Sequence, residues 1–190
     1  MFATKRLSKE LSKVRIYSPI PLFDFTANLP PKSPSLRRSL GTVLTSTRQI
    51  HEHLPPGISI ASANDLKEWQ MDIQVLDDNP LYRDETYRLK FKFSTNYPIE
   101  APEVTFVLCS SPSRPVPMHP HVYSNGIICL DLLGSAGWSP VQNVESVCMS
   151  IQSMLTGNTR NERPPGNEDF VRRNTQRPRD ITFIYEDSTV

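Results

Sequence analysis

Cys129 lies ten residues after His119, eight after His121 and two before Asp131, in a stretch too rich in turn formers for regular helix or strand. A thiol carried on a loop is a candidate nucleophile. Asn125-Gly126 is the dipeptide that most readily takes the positive φ angles of a tight turn. The chain is therefore expected to fold back before Ile127-Ile128 and present Cys129 at the far end of the turn. His121 offers an imidazole, which donates one hydrogen bond when neutral and two when protonated, and which serves as a base near neutral pH. Two readings of His121 stay open at this point: it takes part in the chemistry, or it packs and caps the loop. Cys148, on the apolar stripe of a helix, and Cys109, at the end of a strand, read as small buried hydrophobes. A metal site on His119, His121 and Cys129 is not expected, because Pro120 fixes the local geometry and no fourth ligand is evident.

The elements that must position this loop show in the periodicity. Leu7, Leu11 and Val14 repeat at helical spacing behind Thr4, with Lys5, Arg6, Lys9, Glu10 and Lys13 between them, which predicts a short amphipathic helix with a basic outer face. From Ile58 onward the pattern alternates. Trp69, Met71, Ile73 and Val75 share one side, then Tyr87, Leu89, Phe91 and Phe93, then Val104, Phe106 and Leu108, which predicts an antiparallel meander of three or four strands with one buried face. Asp77-Asp78-Asn79-Pro80 and Asp84-Glu85 supply turn chemistry. Beyond the Cys129 loop, Val141, Val144, Cys148, Ile151 and Leu155 form one stripe of a helix ended by Gly157, the natural cover for the sheet. A weak helix is expected around 168–175. The arrangement is α+β.

Eighteen prolines in 190 residues fall mainly outside these periodic segments. Residues 16–48 are Pro, Ser, Thr and Leu without period and read as a disordered insertion in a single domain spanning 1–190. The polar segment 176–190 is expected to be mobile. A net charge of +1 leaves no footprint for non-specific nucleic-acid binding. The N-terminal residues lack the apolar core of a signal peptide, and no run approaches the ~20 apolar residues that span a bilayer. No nucleic-acid or membrane partner is expected, the location is expected to be cytoplasmic or nuclear, and three cysteines there are expected as thiols.

The run His119-Pro120-His121 through Asn125-Gly126 to Cys129-Leu130-Asp131 resembles the active-site signature of ubiquitin-conjugating enzymes, His-Pro-Asn followed by an Asn-Gly turn and Cys-Leu-Asp. The departure is His121 in the place of Asn, which looks like the W-type members associated with ubiquitin transfer to protein N-termini. The resemblance covers about 1–14 and 49–190 and implies that family's fold. It implies that Cys129 takes ubiquitin's C-terminal carbonyl from the activating enzyme as a thioester and yields it to an amine. It also implies that His119 holds the loop through a backbone hydrogen bond, that His121 replaces the Asn linked to the oxyanion, and that Asp131 assists an incoming lysine. No cofactor is implied, since ATP is used by the upstream activating enzyme.

The same resemblance assigns partner surfaces. Lys5 and Arg6 match positions that meet the activating enzyme and ligases, while Tyr97-Pro98-Ile99 and Ser139-Pro140 match the loops that RING and U-box domains grip. The family commonly has Phe at Ile99. Trp138 lies nine residues after Cys129, one more than usual, through Gly134-Ser135-Ala136-Gly137, which is expected to loosen that loop. Phe183, Ile184 and Tyr185 fall where W-type enzymes hold a substrate N-terminus, or else form a short element packed on the core. An α-amine with pKa ≈ 7.7–8.0 is neutral in roughly a tenth of molecules at pH 7, against well under a thousandth for lysine at ≈ 10.4. Weak deprotonating machinery therefore favours N-termini. The rivals are a binding module of the same fold without catalysis, and a conjugating enzyme for another ubiquitin-like modifier.

Overall fold

Side chains of an extended chain point alternately to opposite sides, so a strand that alternates apolar with polar residues presents one apolar face. In the computed structural model, which describes residues 2–15 and 54–183, four such strands pair antiparallel in chain order. They are β1 (Ile58–Ser62), β2 (Glu68–Gln74), β3 (Thr86–Lys92) and β4 (Glu103–Val107). Register sets Trp69 beside Phe91, Met71 beside Leu89, and Leu89 beside Phe106, all fully buried. Each such side chain contributes about 1.5–3 kcal/mol on leaving water. A small hairpin, β5 (Cys109–Ser110) and β6 (Ser113–Arg114), follows β4.

Among the described residues, three α-helices complete the α+β architecture. Helix α1 (Phe2–Arg15) adds Ala3 and Leu7 to the core. Helix α2 (Val144–Thr156) places Val144, Val147, Cys148, Ile151 and Leu155 in the same core as the sheet's apolar face. Its start is sharp because Asn143 accepts the Ser146 N–H at 2.9 Å while Ser146 Oγ accepts the Asn143 N–H at 3.0 Å, a reciprocal cap. Helix α3 (Asn167–Arg173) is shorter than the expected 168–175 segment at its end and is followed by a 3-10 turn, Pro178–Asp180.

The structure corrects several expectations. Leu108 and Val141 do not join the apolar faces: they are 76% and 79% exposed, because β4 stops at Val107 and α2 starts only after the Asn143 cap. The face of α1 is not uniformly basic. Glu10 is buried and accepts from Arg6 Nε at 2.5 Å and from Tyr97 Oη at 2.8 Å, which draws Arg6 to a half-buried position. Cys109 is half-buried rather than a core residue, whereas Cys148 is fully buried. Within the segment 176–190, Arg179 and Ile181 are buried. The expected insertion, 16–48, and residues 184–190 lie outside the described residues.

Candidate active site

The hairpin that carries Cys129 is a different turn from the one the Asn-Gly pair suggests. Positive φ occurs at Gly126 (87°) and not at Asn125. Tyr123 O accepts the Gly126 N–H at 2.8 Å and Tyr123 N–H donates to Ile127 O at 2.9 Å, so the turn closes through a left-handed glycine bulge. The Gly126 carbonyl also accepts the Phe106 N–H at 2.9 Å, and a Cβ on Gly126 would lie 2.0 Å from Phe106 O. Only glycine allows this approach to β4. Ile127 and Ile128 are buried behind it, and Cys129 emerges half-exposed.

The two histidines have opposite roles in the geometry. His119 is 4% exposed, and its Nδ1 accepts the His121 N–H at 2.9 Å. Nε2 must therefore carry the proton, which it directs to Met154 O at 3.2 Å, at the end of α2. Burial pushes its pKa down to about 4. His119 is thus a neutral clamp between the loop and the covering helix. His121 is half-buried, and its Nδ1 lies 3.2 Å from Cys129 O, an atom that only accepts. Nδ1 is then the N–H of the neutral ring, and Nε2 holds the lone pair. In return, the Cys129 N–H donates to His121 O at 2.7 Å. Both backbone polar groups of Cys129 are engaged by His121.

These residues line an open cleft of about 500 Å³. One wall is Pro120, His121, Cys129 and Asp131, and the other is the C-terminal end of α2 with Asn158, Thr159 and Arg160. Asp131 is exposed at the start of a 3-10 turn, Asp131–Leu133. The glycine-containing run after it does not form an open loop. Trp138 N–H donates to Gly134 O at 3.0 Å, and a Cβ on Gly137 would meet Asp131 O at 2.3 Å, so the additional residue is absorbed in a compact turn.

The surfaces assigned to partners are brought together on another side. Trp138 Nε1 donates to Pro98 O at 2.8 Å, joining the 97–99 loop to the segment that contains Ser139 and Pro140. Tyr97 is 1% exposed, so it supports this loop from beneath, while Ile99 is 75% exposed. Lys5 is exposed, and Arg6 donates to Gln142 O at 3.0 Å, which ties α1 to the same group. Phe183 lies beside a ring stack of Tyr123 and Phe170, whose centroids are 3.8 Å apart. Phe183 is thus next to the Cys129 hairpin, while Ile184 and Tyr185 lie outside the described residues.

Sequence reasoning missed the supports of the cleft. Arg163 donates to Pro117 O at 2.6 Å, Val122 O at 3.0 Å and Val116 O at 3.2 Å, which pins the approach to His119. Asn158 is buried and donates to Tyr82 Oη at 2.5 Å, and that hydroxyl donates to Met118 O at 2.8 Å. The partners lie tens of residues away, and a lone Arg or Asn carries no periodic signal. Asn158 follows the helix-ending Gly157, the only local hint.

Comparison with known proteins supports the same grouping. Residues 42–184 match the family described as ubiquitin-conjugating enzyme. The chain is 40% identical over 137 residues to the probable ubiquitin-conjugating enzyme E2 W of Dictyostelium discoideum, covering 72% of this chain and 87% of that protein. It is 36% identical over 145 residues to ubiquitin-conjugating enzyme E2 W of Caenorhabditis elegans, covering 75% and 91%. Among solved structures, the ubiquitin conjugating enzyme E2 UbcA1 from Agrocybe aegerita superposes with a TM-score of 0.63 at 40% identity, covering 78% of this chain and all of that one.

Proposed function

Because the chain belongs to the ubiquitin-conjugating enzyme family, whose members transfer ubiquitin through a cysteine thioester, we propose that Cys129 is the thioester-forming residue and that the acceptor is the α-amine of a protein N-terminus. The observation that carries this reading is the reciprocal pairing of His121 with the Cys129 backbone, which leaves the lone pair of His121 on Nε2 in the neutral ring. Cys129 and His121 line the same open cleft of about 500 Å³.

In the transfer step the neutral amine nitrogen attacks the thioester carbonyl, and its proton passes to His121 Nε2. The tetrahedral oxyanion collapses, the C–S bond breaks, and Cys129 leaves as thiolate, which is a good leaving group. A single imidazole base suits an α-amine, a substantial share of which is already neutral near pH 7, better than a lysine. Asp131, exposed at the rim, is the group through which lysine acceptance persists. Phe183, with Ile184 and Tyr185 beyond it, guides the substrate end. A RING or U-box domain grips Pro98, Ile99, Ser139 and Pro140, with Lys5 at the edge. Such thiol chemistry fits a reducing compartment, the cytoplasm or nucleus.

The test mixes the protein with activating enzyme, ATP and ubiquitin, and follows a band on a non-reducing gel that added thiol removes. The band is expected for the wild type and absent for Cys129→Ala. A thiol-labile band that survives in the variant overturns the assignment. Discharge is then compared on a lysine-free peptide with an open N-terminus and on an acetylated peptide containing lysine. Faster discharge on the first is expected, and equal or faster discharge on the second overturns the N-terminal reading.

A further inference from the structure

The loop of residues 94–101 is held from three directions. Helix α1 holds it through Glu10 and Tyr97, and the segment beyond the cleft holds it through Trp138 and Pro98. The third anchor comes from the C-terminal segment. Arg179 in the 3-10 turn is only 9% exposed, and its guanidinium donates from Nη1 to Ala101 O at 3.1 Å and pairs through Nη2 with Glu100 Oε2 at 3.3 Å. Glu100 is also bonded by Ser94 Oγ and Asn96 Nδ2, both at 2.8 Å. A buried guanidinium is costly unless its protons find partners, and here its backbone partner and closest ionic partner are in this one loop. Beside the contact a groove of about 260 Å³ opens, with Ile99, Ser135, Trp138 and Arg177 on its walls. The exposed Ile99 side chain stands on its edge, which makes the groove continuous with the surface proposed for the ligase.

We infer that the C-terminal segment is part of the ligase-facing surface: Arg179 is a positioning residue that sets the Pro98-Ile99 loop. The inference rests on the reading that such a domain grips this loop. Arg179 lies away from the cleft and touches none of the reacting groups. Its loss therefore acts on the stimulated reaction and leaves the chemistry at Cys129 alone.

The experiment uses the full chain and a RING and a U-box domain, each first tested for stimulation of the wild type. Thioester loading, discharge onto the α-amine peptide without ligase, and discharge with ligase are measured for wild type, Arg179→Met and Arg179→Lys. For Arg179→Met the stimulated rate is expected to fall about tenfold while loading and unstimulated discharge stay within about twofold. Arg179→Lys, which keeps the charge but not the planar fork that reaches Glu100 and Ala101 together, is expected to recover only part of the stimulation. Unchanged stimulation in Arg179→Met, or equal loss of stimulated and unstimulated rates, overturns the inference. If Arg179→Met does not fold, Glu100→Gln, which weakens the same pair from the exposed side, is expected to show the same split, and its absence overturns the inference. Failure of both domains to stimulate the wild type refutes the ligase reading itself, a different result from stimulation that ignores Arg179.

Discussion

The floor and the rim of the cleft are built on different terms. The floor consists of His119, Val122, Gly126, Ile127 and Ile128, buried and fixed by a backbone hydrogen bond to β4 and by the His119 side chain to α2. The rim consists of His121, Cys129, Asp131 and Arg160, which are half-exposed or exposed. A buried polar group without its partner costs about 1–3 kcal/mol, so the floor tolerates few changes. The rim residues line the open side of the cleft. The difference teaches that signature residues a few positions apart answer to separate requirements: the fold on the floor and, in the function proposed above, the reaction on the rim.

The comparison is tested hardest at Gly126. Alanine there adds a Cβ that would lie 2.0 Å from Phe106 O on a residue with φ of 87°. Left-handed strain of about 1–2 kcal/mol and overpacking of about 1–3 kcal/mol act together, so Gly126→Ala is expected to lose about 2–5 kcal/mol in denaturant unfolding. Gly166 has a similar φ of 69° with nothing within 4 Å, so Gly166→Ala reports the strain without the clash. Equal losses at the two glycines would mean that the floor is not closed against β4.

His119 gives a pH-dependent version of the same test. Its folded pKa of about 4 lies below the ordinary histidine value of 6.5, so between these values the unfolded chain binds the extra proton. Stability is fully present above pH 6.5 and is lost as pH falls toward 4, by up to about 3 kcal/mol. Unfolding measured between pH 7 and pH 4 is expected to show this slope, and His119→Gln is expected to flatten it. A slope that survives the substitution would assign the loss to other groups.

How much of this was legible in the sequence divides along physical lines. The strands of the sheet and the α2 stripe could be read because burial repeats every second residue in β3 and at helical spacing from Val144 to Leu155. The errors at Leu108 and Val141 are one residue past a strand end and three before a helix start, where hydropathy continues but pairing and capping do not. The site's identity was carried by the Cys129 signature and its family likeness. Its working parts were not: that His119 accepts from the His121 amide and His121 donates to the Cys129 carbonyl are facts of direction and tautomer, which residue types leave undetermined. Glu10 and Arg179 escaped for another reason. Each is a charge on a segment that reads as solvated surface, buried only because a partner about 80 to 90 residues away in the chain meets it.

The smallest change in stability with the clearest change in chemistry is expected at His121. Asparagine there retains an N–H for the Cys129 carbonyl but has no basic nitrogen. The fold loses the ring contacts and at most one hydrogen bond, about 1 kcal/mol or less. If Nε2 takes the proton of the attacking amine, discharge onto the α-amine peptide slows by about 10²-fold, the lower end of what general bases contribute. Discharge onto lysine, assisted by Asp131, slows less, so the ratio of the two rates moves toward lysine. Stability and both rates are measured on one preparation of His121→Asn with its thioester loaded. A stability loss as large as that of Gly126→Ala would put His121 on the floor. An unchanged rate ratio with normal stability would leave it on the rim but remove it from the proton transfer, and the preference for N-termini would then have to come from the segment around Phe183.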